Sequence, residues 1–463
     1  MIDYTQFIQP DNGQSATEIH LVDSAGFDDW LADQPSDLRD LVTAQKFDGS
    51  AGQHAVLCKT KDAGLAIVAG VEDAQKLGPW CLAALAGNLG AGQYRLHDAS
   101  AGEAILGWML AHYRYDAHLS APKKEAPRIL LVGEPARIDA VAIEAAGMAL
   151  VRDLVNCPPE LMGPADMEAQ AKRLSEAHSA TLTVTKGDVL EQEYPLIHAV
   201  GKAAARKYAP RLIELEWGDE RHPRVAIVGK GVSFDSGGLN IKASSGMRNM
   251  KKDMGGAAHA LALAEMIMKL QLPVRLHMLV PAVENAISGI AFRPGDILRS
   301  RKGLSVEIDN TDAEGRLILA DALCKAQEDA PDCLIDFATL TGAARTALGP
   351  DLPPVFGNDD ALADGIVAAG TAKTDPVWRM PLWAPYNEML SSDVADVVNS
   401  GGRFAGAITA ALFLQKFIES ETCWAHIDTF AWMPSAKPGR PKGGEALGLR
   451  AVLGYLAQTY PVR

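Results

Sequence analysis

Residues 307–321, EIDNTDAEGRLILAD, set Asp312, Glu314 and Arg316 at alternate positions, with apolar Val306 and Ile308 before them and the helix-like run 317–320 after. Charged groups in so apolar a setting are costly to bury unless each has a partner. Two carboxylates at i and i+2 can hold a divalent cation jointly, and an arginine two positions on can hold an anion. Taken alone, the segment would equally suit a solvated acidic turn. The deciding residues lie upstream, in RVAIVGKGVSFDSGGLNIK (224–242) and NMKKDMGGAAHALALAEMIMKL (249–270). Lys230 follows a short apolar strand pattern at 225–228. Asp235 stands in a loop rich in glycine and serine that ends at Lys242. Asp253 precedes Met254-Gly255-Gly256, where a helical pattern begins. A carboxylate at that position also suits a helix N-terminus. Three segments thus supply Lys230, Asp235, Lys242, Asp253, Asp312, Glu314 and Arg316.

Other readings of these glycines fail. A phosphate-binding loop needs Gly, four residues, then Gly-Lys-Ser/Thr; here Gly229-Lys230 is followed by Gly231, and position 224 is Arg. A dinucleotide fingerprint would need glycine where Phe234 stands. Ser233 lacks the second glycine of a nucleophile elbow, since Asp235 occupies that place. No His-Glu-x-x-His pattern occurs, and His259, His277 and His426 are scattered without ligand spacing, which reads as structural.

The elements that must position these residues follow from hydrophobic patterning. Residues 1–134 alternate short apolar runs (55–58, 65–71, 129–132) with helical patterns (79–89, 101–114), as a small α/β domain would. APKKEAP at 121–127 reads as a surface loop. An alanine-rich helical run at 138–155 makes 135–157 a linker helix. Residues 158–463 then form the larger domain, with a helix over Pro164–His178 and strands near 181–185, 212–217, 225–228, 275–280 and 333–338. Helices between the strands imply a mainly parallel sheet covered on both faces, so the expected class is α/β in both domains. Ligands in such sheets collect at the carboxyl ends of strands. Lys230, Asp235, Asp312 and Thr339 all follow strand-like runs, so one crevice can gather them.

At 463 residues the chain exceeds one ordinary core and predicts two domains. A net charge of −14 opposes non-specific binding to nucleic acid or an anionic membrane surface. Cys58, Cys81, Cys157, Cys324, Cys333 and Cys423 show no Cys-x-x-Cys pair and read as reduced thiols. The N-terminus has no basic region followed by an apolar run, and no stretch reaches 18 apolar residues, so neither a signal peptide nor a membrane span is expected. These features fit a cytoplasmic enzyme.

The motifs GKGVSFDSGGLNIK and NTDAEGRL resemble the signature of the leucyl aminopeptidase family (peptidase family M17), hexameric two-metal cytosolic exopeptidases. Asp253 and Asp312 follow Asp235 by 18 and 77 residues, as in that family's pattern, and ATLTGA (338–343) and GGRFAGAITAALFLQKF (401–417) extend the likeness. It runs from about residue 152 to the C-terminus; the first 130 or so residues carry no usable motif and are shorter than the family norm. The resemblance implies two divalent cations, Zn²⁺ or Mn²⁺, about 3.5–4 Å apart. Asp235 and Glu314 would bridge them, Lys230 and Asp253 would complete one, and Asp312 the other. Lys230 could ligate only as the neutral amine, with its pKa well below the ordinary value of about 10.4. By the same resemblance Lys242 stabilises the oxyanion, and Arg316 holds a bicarbonate that relays the proton. Met250, Thr339, Leu340 and Gly342 line the pocket for the substrate's first side chain. The implied activity is release of N-terminal, preferentially leucine-like residues from peptides with a free N-terminus, by a hydroxide activated between two metals. The implied assembly is a homohexamer. Some relatives also bind DNA, which the net charge opposes here. A pseudoenzyme would be favoured by a lost ligand, yet all seven charged positions are filled. A two-metal phosphatase would want histidine ligands and further basic residues.

Overall fold

Runs rich in valine, isoleucine and leucine form buried strands, and alanine-rich stretches form the helices between them, in a computed structural model that describes residues 2–58, 65–122 and 126–462. The loop expected at 121–127 lies partly outside the described residues, as does the side chain of Cys58. The chain divides into two compact units. One comprises Met1–Ala149 with Ser435–Lys442, and the other Leu150–Pro434 with Gly443–Arg463. The division falls within the helix Ile138–Asn156. The expected boundaries place the segment 435–442 in the larger domain, whereas here it groups with the first unit.

In the first unit, β1 (Ile8–Pro10), β2 (Thr17–Val22), β3 (His54–Cys58), β4 (Leu65–Gly70), β5 (Gly92–Leu96) and β6 (Arg128–Val132) form one sheet in the order β1-β6-β5-β2-β4-β3. All its pairs are parallel except β3 with β4. Two helical patterns are shorter than expected, at Ala83–Asn88 and Ile105–Leu110.

The second unit carries β7 (Thr181–Lys186), β8 (Arg211–Trp217), β9 (Arg224–Gly229), β10 (Gly231–Asp235), β11 (Arg275–Asn285), β12 (Ile297–Arg299), β13 (Ser305–Glu307), β14 (Cys333–Ala338), β15 (Pro354–Gly357), β16 (Trp378–Arg379), β17 (Val397–Val398) and β18 (Trp424–Asp428). Its main sheet runs β16-β15-β18-β14-β9-β11-β8-β7, with β10 paired to β11. The centre is parallel: β18 with β14, β14 with β9, β9 with β11, and β10 with β11. Antiparallel pairs flank it, β8 on β11, β7 on β8 and β15 on β18. The helices Gly255–Lys269 and Gly315–Ala326 both pack on β9. Val225, Ala226, Ile227 and Val228 are all buried, which is why β9 reads as a continuous apolar run rather than an alternating one. Strands β12, β13 and β17 form a small separate sheet that leads into the Asp312 loop.

The helix Ile138–Asn156 also carries Arg152, wholly buried against Glu445: Nε donates to Oε1 at 3.1 Å and Nη2 to Oε2 at 3.2 Å. Removing one partner of such a pair strands the other charge in the interior. Glu445→Ala should therefore cost about 3–5 kcal/mol, read as a lowered midpoint of urea unfolding with an unchanged m-value.

Candidate active site

Five parallel strands of the second unit end at one edge of the sheet, and each delivers a polar residue there. Lys230 follows β9, Asp235 closes β10, Asn285 closes β11, Thr339 follows β14 and Asp428 closes β18. The loop after β13 brings Asp312 and Glu314 in from above the helix Gly315–Ala326, and the turn Met250–Met254 brings Asp253 to the start of Gly255–Lys269.

Two glycine positions allow so tight an assembly. A Cβ on Gly256 would stand 2.1 Å from the Phe337 carbonyl oxygen, so the helix can approach β14 only without one. A Cβ on Gly315 would stand 2.6 Å from Lys230 Nζ.

The loops are lashed to one another by reciprocal bonds. Thr311 Oγ1 donates to the Gly237 carbonyl at 2.7 Å and accepts from Asn240 N–H at 2.9 Å, while Asn240 Oδ1 accepts from Thr311 N–H at 2.9 Å. Asn285 Nδ2 donates to Asp235 Oδ1 at 2.8 Å and to the Thr311 carbonyl at 3.1 Å. Asn399 holds the far end, its Oδ1 accepting from Asp309 N–H at 2.9 Å and its Nδ2 donating to the Asn310 carbonyl at 2.7 Å.

Lys230 Nζ lies 2.7 Å from Asp253 Oδ2 and 3.0 Å from Glu314 Oε1; Lys242 Nζ lies 2.8 Å from Asp235 Oδ2 and 2.5 Å from Asp312 Oδ1. Oxygens of Asp235, Asp312 and Glu314 come within 4.8 Å of one another. Asp253 joins this group through Lys230. Burial and the neighbouring Asp235 push Glu314 up to about 8 and Asp312 up to about 6. Burial alone would lower the Lys230 pKa, but Asp253, Glu314 and Asp235 more than offset it and hold the ammonium above its ordinary value. Asp253 Oδ2 and Asp312 Oδ1 meet their lysines without hydrogen-bond alignment, and Asn285 Oδ1 has no hydrogen-bond partner. An oxygen-rich, buried set with excess negative charge and unaligned acceptors fits hard or borderline divalent cations.

A cavity of about 420 Å³ opens over this cluster. Lys230, Asp235, Lys242, Asp253, Asp312 and Glu314 line it, as do Met250, Thr339, Leu340 and Gly342. Arg316 is not among its lining residues. It is buried beside Glu314, Nη1 donating to the Asn399 carbonyl at 2.9 Å while Nε has no hydrogen-bond partner among the described residues. Thr339 Oγ1 donates to Asp253 Oδ1 at 2.8 Å, and Asp428 accepts from Leu340 N–H at 2.9 Å and from Thr341 Oγ1 at 2.6 Å. Asn285, Asp428, Lys252 and Arg345 were not anticipated. Only a polar residue at the end of an apolar run marks the first two in the sequence.

The three histidines are structural. His259 Nδ1 faces the Gly255 carbonyl at 2.7 Å and Nε2 accepts from Leu447 N–H at 3.1 Å, and burial pulls its pKa down to about 4. His426 Nδ1 meets Asp336 Oδ1 at 2.6 Å, and His277 Nε2 meets Glu214 Oε2 at 3.1 Å. Among the described cysteines Cys81, Cys324, Cys333 and Cys423 form no disulfide. No described helix is long and apolar enough to cross a membrane.

Residues 149–453 match the catalytic domain of the cytosol aminopeptidase family, and residues 17–131 match the M17 aminopeptidase N-terminal domain. The probable cytosol aminopeptidase of Syntrophotalea carbinolica is 42% identical over 371 residues, covering 76% of this chain and 74% of the relative. The crystal structure of the cytosol aminopeptidase from Coxiella burnetii superposes with a TM-score of 0.92 at 43% identity, covering 98% of this chain and all of the other. The bottromycin maturation enzyme BotP in complex with Mn superposes with a TM-score of 0.86 at 31% identity, over 96% of this chain and 100% of BotP. The chain belongs to the cytosol aminopeptidase family. It is a leucyl-aminopeptidase-type hydrolase, metal-dependent as that family is.

Proposed function

We propose that this chain releases N-terminal residues, leucine-like ones among them, from peptides in the cytoplasm, using two divalent cations held over the sheet edge. The observation that carries this is the convergence of Asp235, Asp253, Asp312 and Glu314 on one cavity, with two lysines set between them. Lys230, Asp253, Asp235 and Glu314 would hold one cation, and Asp312 with Asp235 and Glu314 would hold the other. Zn²⁺ or Mn²⁺ suits this donor set, and the Mn complex of BotP favours testing Mn²⁺ first. Such a pair supplies Lewis acidity and a water of lowered pKa.

The chain's own residues do the rest. Lys230 must surrender its proton to ligate, which the charge of adjacent cations would drive against the carboxylates that now hold its pKa up. Lys242, less buried than Lys230, is placed at the cavity wall to meet negative charge developing on the scissile carbonyl oxygen. Asn285 and Thr339 fix the carboxylates of Asp235 and Asp253 through hydrogen bonds. Met250 and Leu340 give the substrate's first side chain an apolar wall. With every carboxylate of the cluster committed to metal, proton transfer would fall to another group. The unpartnered Nε of Arg316, buried beside Glu314, suits a bicarbonate that carries that proton. A homohexamer follows from the family resemblance.

The test is leucine release from a dipeptide with a free or an acetylated N-terminus by the metal-loaded chain, with bicarbonate titrated into carbonate-depleted buffer for the parent and for Arg316→Ala. Cleavage of the free peptide alone, with bicarbonate activation lost in Arg316→Ala, is the expected result. Equal cleavage of both peptides would refute the exopeptidase reading. Equal bicarbonate responses would return Arg316 to a structural role.

A further inference from the structure

The cavity holds two cations that the chemistry above does not use. Lys252 is only 6% exposed, yet among the described residues its Nζ makes no hydrogen bond and its nearest carboxylate oxygen, Asp253 Oδ1, is 3.8 Å away. Asp253 meets Lys230 at 2.7 Å and Thr339 at 2.8 Å, so Lys252 at 3.8 Å is not its closest partner. Lys252 lines the cavity, with its ammonium 5.5 Å from the centre of the Phe430 ring. The guanidinium of Arg345 lies 4.5 Å from the same ring centre, and it too has no carboxylate partner among the described residues. A Cβ on Gly342 would stand 4.0 Å from Arg345 Nη2, so the guanidinium leans back toward the Gly342 end of the cavity. The adjacent Lys251 has a different role, donating to the Asn156 carbonyl away from this wall.

An ammonium on a side chain only 6% exposed, with no hydrogen-bonded acceptor among the described residues, suits an anion, and here it lines the same cavity as Met250, Leu340 and Gly342. We propose that Lys252 and Arg345, both beside Phe430, form an anion subsite that takes a side-chain carboxylate. Peptides beginning with glutamate or aspartate are then substrates alongside leucine-like ones, and peptides beginning with lysine or arginine are repelled. Phe430 and Met250 supply an apolar wall for the methylenes, and the two cations meet the carboxylate at the tip. This assignment rests on the aminopeptidase reading above and on the same cavity receiving the first side chain.

The test compares kcat/KM for leucine, glutamate, aspartate and lysine p-nitroanilides with the metal-loaded full chain. These substrates have no C-terminal carboxylate, so only a side-chain carboxylate can engage the subsite. Glutamate should be cleaved within about tenfold of leucine, and lysine should be poorer than leucine by about tenfold or more. Lys252→Met should lower the glutamate-to-leucine ratio by about tenfold or more, the loss expected of a hydrogen bond to a charged group. Arg345→Met, at an exposed position, should shift the ratio the same way by less and serves if Lys252→Met does not fold. Lys252→Arg should keep most of the ratio. Cleavage of leucine with no detectable cleavage of glutamate would overturn the subsite, as would a ratio unchanged in both methionine variants. Failure to cleave any of the anilides would instead defeat the aminopeptidase reading, and the subsite with it.

Discussion

Replacing Asp253 by alanine should remove one of two bound metal equivalents and nearly all activity. The carboxylate is buried between Lys230 and Thr339 at the start of the helix Gly255–Lys269. The substitution removes a ligand and its charge together, and it leaves Lys230 with Glu314 as its remaining close carboxylate. A fall in kcat/KM beyond the roughly 10²–10³-fold cost of one lost transition-state donor is expected. Metal analysis after gel filtration, beside steady-state kinetics, checks both halves. Two retained metals with unchanged turnover would mean that Asp253 is only a helix-start carboxylate.

The second large effect separates the two lysines. Both sit between carboxylates, but Lys230 is 3% exposed and Lys242 lies at the more open side of the cluster. Lys230→Arg should abolish metal binding at its site, because a guanidinium does not deprotonate in a protein and cannot become a ligand. Lys242→Ala should retain both metals and lower kcat by roughly 10²–10³, the cost of a lost oxyanion donor. A Lys230→Arg chain that keeps its metals, or a Lys242→Ala chain that loses them, would exchange the two roles.

The cluster was legible in the sequence because its chemistry is local. Lys230, Asp235 and Lys242 begin, close and follow β10, Asp312 and Glu314 share the loop after β13, and the strand patterns before Lys230 and Thr339 coincide with β9 and β14 to within a residue. What stayed hidden depends on long-range geometry. Lys251 and Lys252 are neighbours of the same type, and only the path of the turn Met250–Met254 decides that the second faces the cavity. Asn285 closes a strand of eleven residues whose apolar pattern gives no hint that its amide will span Asp235 and the Thr311 carbonyl. Strands β12, β13 and β17, of three, three and two residues, are too short for any periodicity, yet they lead the chain into the Asp312 loop. Segment 435–442 carries no signal that it belongs with the first unit, since that membership comes from packing alone.

The central claim is that this one cavity binds two divalent cations through Lys230, Asp235, Asp253, Asp312 and Glu314. Anomalous diffraction from crystals of the full chain loaded with Mn²⁺ tests it most directly. Two peaks about 3.5–4 Å apart are expected, one against Lys230 and Asp253 and the other against Asp312, with Asp235 and Glu314 touching both. An active, Mn²⁺-loaded chain whose peaks lay away from these five residues would contradict it.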